Sequence, residues 1–194
     1  MTVRIVLLHG YGGDGDEMIG KFGPALASLG YECLAPDAPF PCELSPNKRQ
    51  WFGLTTLPDI LAKRVQEAAD ELSPYVETTC RGANTVLIGH SQGAMIAAEL
   101  IFRQQVRGWR AVCVAGDLSF ASELPQQALK RLFFVHGTDD AMVPLRQLET
   151  QLKRAGVSDR MNRVVGGEHA LNGQLLSQAI DAVRLMAEEA EEGS

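Results

Sequence analysis

The sequence predicts an α/β domain, a parallel sheet of about six strands with helices on both faces. Three observations lead there. Short apolar runs alternate with amphipathic stretches along the whole chain. Several of those runs are continuous rather than alternating, the pattern of strands buried on both faces. At 194 residues, with 45% hydrophobic and 22% charged side chains, the chain suits one full-sized core. No internal repeat or low-complexity linker divides it, so residues 1–194 read as a single domain.

The apolar runs Val3–Leu8, Glu32–Ala35, Thr85–Ile88, Ala111–Ala115, Leu132–Val135 and Asn162–Val165 read as the strands. Between them, helical periodicity covers Asp16–Leu29, Leu57–Leu72, Ser91–Val106, Pro144–Ala155 and Leu171–Ala190. Pro144 suits a first helical turn. The segment from Pro36 to Thr56 breaks the alternation. It holds Pro36, Pro39, Pro41 and Pro46 and the pair Trp51-Phe52, and a loop of that length in a compact domain is usually functional or mobile.

Composition excludes several function classes. A formal net charge of −6 leaves no basic stripe to neutralise phosphates, so nucleic acid is not an expected partner. Part of that charge is the tail from Glu188, which reads as a fraying, solvated helix end. No apolar run approaches the ~20 residues of a membrane span, and Thr2–Leu8 is too short for a secretory apolar region. Cys33, Cys42, Cys80 and Cys113 are too irregularly spaced for a zinc or redox motif and read as free thiols of a cytoplasmic protein. No cofactor or metal is implied. A homodimer is compatible with the sequence but not dictated by it.

The chemistry centres on Gly89-His90-Ser91-Gln92-Gly93, which fits G-x-S-x-G between a strand and an Ala-rich helix. In such a turn the Ser backbone is strained, and side chains two residues either side would collide. With nine serines and 19 glycines, chance supplies roughly 0.1 such matches. A serine hydroxyl needs a base, and the base needs an acid to fix its tautomer. On a sheet of this kind the order is Ser, acid, His. Of four histidines only His169, in Gly166-Gly167-Glu168-His169, follows a strand-end acid. Asp139 and Asp140 both fit as that acid, with Asp140 preferred and Asp117 a distant third. The oxyanion donors expected are the backbone N–H of Gln92, after the nucleophile, and that of Tyr11 in the turn after the first strand.

That same turn supports a rival reading. Gly10, Gly12 and Gly15 fit G-x-G-x-x-G, with Asp37 about 20 residues on, as in a dinucleotide-binding oxidoreductase. Against it, Asp14 would set a carboxylate where the pyrophosphate must lie. A third class is a hydrolase-like fold that binds small ligands without turning them over.

With these residues placed, the chain resembles the phospholipase/carboxylesterase family of α/β-hydrolases, which includes acyl-protein thioesterases. The likeness spans nearly the whole chain. It rests on Leu8-His9-Gly10-Tyr11-Gly12, Arg49-Gln50-Trp51-Phe52, Gly89-His90-Ser91-Gln92-Gly93-Ala94, His136-Gly137-Thr138-Asp139-Asp140-Ala141-Met142-Val143-Pro144 and Gly167-Glu168-His169. It implies Ser91 as nucleophile, Asp140 as the acid, His169 as base, and Tyr11 and Gln92 as oxyanion donors, acting on lipid-like or other carboxylic esters, lysophospholipids or acyl thioesters. Only Met1 and Thr2 precede the first strand, so the resemblance implies a trimmed α/β-hydrolase sheet in spatial order 2-1-3-4-5-6. Gly116-Asp117-Leu118 stands where relatives often carry Ser-Gly. Trp51 and Phe52 are expected either to border an acyl pocket or to anchor their loop on the core.

Overall fold

A computed structural model of the chain describes residues 3–103 and 108–192. Six strands form one parallel sheet: β1 (Val3–Leu8), β2 (Glu32–Leu34), β5 (Asn84–His90), β6 (Trp109–Val114), β7 (Leu132–Gly137) and β8 (Met161–Val164). Their spatial order is β2-β1-β5-β6-β7-β8, which is the order the resemblance implies. The chain therefore starts near the middle, steps to one edge, then crosses back and winds outward the other way.

Alternation along each strand sorts the core into two layers. In β1, Val6 and Leu8 pack on one face while Val3, Ile5 and Leu7 pack on the other, and in β5 Leu87 opposes Val86 and Ile88. The first layer is closed by α2 (Pro58–Thr79), α3 (Gln92–Arg103), the short α4 (Gln126–Leu129) and α5 (Leu145–Arg154). The second is closed by α1 (Gly15–Ser28) and α6 (Gly173–Glu192). Both faces of the sheet are thus dry, which is why the strands read as continuous apolar runs.

Three differences from the sequence reading have physical causes. The segment from Pro36 to Thr56 is not simply a loop. It contains an antiparallel hairpin, β3 (Phe40–Cys42) and β4 (Ser45–Gln50), irregular between Pro41 and Cys42. Its polar residues and prolines hide it from periodicity, and beyond its own pairing it is held by an isolated bridge between Arg49 and Gly13. The second helix runs on to Thr79 through Pro74, because Val76 extends the buried stripe beyond Leu72. The third keeps its expected face, but Val106 lies outside the described residues. The acidic tail stays helical through Glu192, with Ala187 and Ala190 buried and Glu189 accepting from both Arg160 guanidinium nitrogens at 2.7 and 2.9 Å. Among the described residues no helix is long and apolar enough to cross a membrane.

Candidate active site

The loops leaving the carboxyl ends of the parallel strands converge above β1, β5, β7 and β8, where ligands of such sheets bind. Strand β5 ends at His90 and helix α3 begins at Gln92, so Ser91 alone makes the turn, with φ of 53°. That left-handed backbone is costly for a residue with a Cβ. The surroundings enforce it. The Ser91 N–H donates to the Val114 carbonyl at 2.9 Å, and the Ser91 carbonyl accepts from Ala94 at 3.0 Å. A Cβ on Gly89 would run into the Gly93 backbone, and one on Gly93 into the Leu8 carbonyl oxygen. The glycines are needed because the strand-turn-helix unit closes on itself and onto β1.

From Ser91 a hydrogen-bonded chain leads inward. Ser91 Oγ lies 3.1 Å from His169 Nε2, and His169 Nδ1 lies 2.8 Å from Asp140 Oδ2. The Asp140 side chain is fully buried, and its other oxygen accepts from the N–H groups of Met142 (2.9 Å) and Val143 (2.8 Å). The remaining oxygen, Oδ2, faces His169 and accepts its proton on Nδ1. Nε2 is then left as the acceptor facing the hydroxyl. His136, fully buried, donates from Nε2 to the Val143 carbonyl at 2.7 Å and stands 3.4 Å from Asp140 Oδ2. Its Nδ1 is buried with no partner among the described residues.

The two other candidate acids are engaged elsewhere. Asp139 is exposed and accepts from the Thr138 hydroxyl at 2.8 Å. Asp117 accepts from the N–H and hydroxyl of Ser119 at 3.1 and 2.7 Å, closing its own turn. The loops carrying Asp140 and His169 are stitched together by the Asp139 N–H to the Gly167 carbonyl (2.9 Å) and the Gly166 N–H to the Thr138 hydroxyl (3.0 Å). Gly137 has no room for a Cβ, because the Gly167 carbonyl lies against it.

His90 ties the base loop to the elbow, its Nε2 donating to the His169 carbonyl at 2.9 Å. Burial pushes its pKa down from the ordinary 6.5 to about 4, partly opposed by that hydrogen bond. The folded state therefore holds fewer protons than the unfolded chain below pH ~6.5. Stability contributed by neutral His90 is complete above that pH and is lost as pH falls toward 4, on the order of 3 kcal/mol for a depression of this size. The expected result is a melting temperature that drops on acidification from pH ~6.5 to ~4. The drop should be smaller in His90→Gln, read by thermal denaturation across that range. Equal acid slopes in the two proteins would refute it.

The turn after β1 carries the other expected donor. Gly12 N–H donates to the Arg49 carbonyl and Arg49 N–H to the Gly13 carbonyl, both at 3.0 Å, so the hairpin clamps the turn from outside. Among the described residues no protein acceptor takes the backbone N–H of Tyr11 or of Gln92. The Gln92 side chain works in the opposite direction. It accepts from the Trp51 N–H at 3.2 Å and donates to the Phe52 carbonyl at 2.8 Å. Trp51 Nε1 donates to the His9 carbonyl at 2.8 Å, and both rings lie in the core, 2% and 6% exposed. His9 donates from Nδ1 to the Gly10 carbonyl (2.8 Å) and accepts the Ala38 N–H on Nε2 (3.0 Å), so it pins the segment from Pro36 to Gly53, the strap. Burial is the main cause of its lowered pKa.

The glycine turn does not form a phosphate cradle. The Gly15 N–H at the start of α1 already donates to Asp37 (2.8 Å), and the Asp14 side chain caps Glu17 (2.8 Å). Two carboxylates occupy the helix N-terminus that a pyrophosphate would need. Among the described residues no cluster of His, Cys, Asp and Glu is arranged as a metal site.

Fold and site together define an α/β hydrolase. A family model described as phospholipase/carboxylesterase matches residues 2–187, and the chain belongs to that family. Among solved structures it is similar to esterase PE8, with 25% identity, 95% of this chain and 93% of that one covered, and a TM-score of 0.77. It shares the fold of SOBER1 from Arabidopsis thaliana at 21% identity, covering 96% and 99% of the two chains with a TM-score of 0.71. It also shares that of acyl-protein thioesterase 2 from Zea mays at 19% identity, covering 96% and 94%, TM-score 0.69.

Proposed function

We propose that this hydrolase cleaves carboxylic esters or acyl thioesters by acylating Ser91, with His169 as general base, Asp140 as the acid that orients it, and Tyr11 and Gln92 amides as the oxyanion donors. The observation that carries the reading is the unbroken run Ser91–His169–Asp140 beside two unclaimed N–H groups.

In this reading His169 Nε2 takes the Oγ proton as Oγ attacks the acyl carbonyl, and the tetrahedral oxyanion accepts from the two amides. The C–O or C–S bond then breaks, and the His169 proton passes to the leaving alcohol or thiol. Water enters, gives a proton to His169 and attacks the acyl-serine, releasing the carboxylic acid and restoring the Ser91 hydroxyl. Asp140 keeps its charge throughout and stabilises the transient imidazolium.

An alkyl fluorophosphonate is the direct test. It should attach to Ser91, located by peptide mass mapping, and abolish turnover of p-nitrophenyl esters. Folded protein that hydrolyses no ester and takes no label is a ligand-binding member of the fold. Labelling elsewhere, with Ser91→Ala as active as the parent, moves the nucleophile.

A further inference from the structure

A groove runs between α2 and the strap from Pro36 to Gly53. It comprises a cavity of about 780 Å³ and an adjoining one of about 320 Å³, which share Trp51, Ala68 and Glu71 as lining. Both lie in the size range of ligand sites. Its floor is apolar, formed by the edges of Trp51 and Phe52 with Ala68 and Leu72. Among the described residues, only two aromatic side chains are more than a third exposed, Phe40 at 46% and Tyr75 at 38%. Each lines one of these two cavities.

The walls are acidic. Glu67, Asp70 and Glu71 come from α2, and Glu43 and Asp37 from the strap. Glu67 and Glu71 stand one helical turn apart on the same face, where like charges repel. Among the described residues Arg64 is the only basic one in either lining, and it is spent on the backbone, donating to the Gly53 and Leu54 carbonyls at 2.7 and 3.1 Å. Asp70 is met by Arg103 and Glu67 by Lys63 at 3.7 Å, while Glu71 has no ion-pair partner among the described residues. The groove thus joins exposed rings to unbalanced negative charge.

We propose that this groove binds an arginine-bearing peptide segment. A guanidinium plane stacks on aromatic faces and forks onto carboxylates, so one side chain satisfies both features at once. A neutral apolar ligand would desolvate the carboxylates without compensation. A bare metal cation would make no use of the rings, and an anionic surface would be repelled. The occupant would lie beside the elbow, because the Gln92 side chain holds the Trp51-Phe52 backbone that forms the floor. Binding here does not depend on how Ser91 reacts.

The test is fluorescence anisotropy of a fluorescein-labelled tetra-arginine peptide titrated with the full chain, with tetra-glutamate as the opposite-charge probe. The groove variant is Glu67→Lys/Glu71→Lys. The control is Glu188→Lys/Glu192→Lys, which makes the same charge change on α6. All four positions are exposed, and circular dichroism checks that both variants fold. The expected result is saturable binding to wild type and to the α6 variant, about tenfold or more weaker in the groove variant, with no binding of tetra-glutamate. Absence of saturable tetra-arginine binding overturns the proposal. So does a groove variant within twofold of wild type, or an equal loss in the α6 variant, which would mark a general charge effect.

Discussion

Ser91→Ala is expected to lower kcat for a p-nitrophenyl ester on the order of 10⁶-fold, the loss seen when a serine nucleophile is removed from an otherwise intact relay. The residual rate then reflects only the oxyanion donors and substrate binding. Stability should move independently of activity. Position 91 has φ of 53° whatever side chain it carries, because the Val114 carbonyl and the Gly89 and Gly93 contacts hold the turn. Alanine keeps the Cβ and the strain, whereas glycine removes both. Ser91→Gly should therefore be equally inactive but more stable than Ser91→Ala by roughly 1 kcal/mol. Parallel kinetics and thermal melts check this, and activity within tenfold of the parent in either variant would remove Ser91 from the chemistry.

Asp140→Asn is expected to lower kcat by about 10⁴ near neutral pH. The reason lies in the two backbone donors. Met142 and Val143 N–H groups both need an acceptor, so the asparagine carbonyl must turn toward them. Its NH₂ group is then forced onto His169 Nδ1. An NH₂ donates, so Nδ1 must accept and the imidazole proton moves to Nε2, where it faces Ser91 and cannot take the hydroxyl proton. The hydrogen bonds to Met142, Val143 and His169 find geometric substitutes, while the contact with His136 Nε2 does not. Asp139→Asn is the counterpart. Its carboxylate is exposed and bonded to Thr138, so its effect on kcat should stay within about threefold, as for surface changes of no mechanistic consequence. If Asp139→Asn has the larger effect, the acid has been misassigned.

What could be read in advance divides by the range of the interactions involved. The sheet and its helices were legible because two-sided burial writes itself into consecutive residues, as in Val86-Leu87-Ile88. Chain order restricts the candidates to Ser91 and His169, and the structure brings these two side chains within 3.1 Å. Local pattern alone preferred Asp140 to Asp139 without separating them, since neighbours on a turn differ only in which way the turn rolls; the resemblance pointed to Asp140, and it is Asp140 that lies 2.8 Å from His169. His90 and His136 gave no signal of their jobs. Each works by donating to a distant carbonyl, of His169 and of Val143, and carbonyls are the same at every residue. The β3–β4 hairpin was hidden for a related reason. Its residues Ser45–Gln50 are mostly polar, and its partner Gly13 lies in a turn already read for glycine chemistry. The side chain of Gln92 is the sharpest case, for the motif needs only its amide, while its carboxamide holds the strap.

The stitched loops of Asp140 and His169 have a dynamic consequence. With Gly137 flush against Gly167, and Asp139 and Thr138 bonded across the seam, acid and base shift as one piece, so thermal motion hardly changes the distance between them. Relative movement is expected at the boundary between that piece and the elbow, where His169 meets Ser91 and, among the described residues, only His90 spans the gap by another side chain. Opening and closing of the 3.1 Å contact between His169 and Ser91 is then expected to be the softest coordinate of the centre. Crystals or spectra taken at different temperatures should show their spread there first.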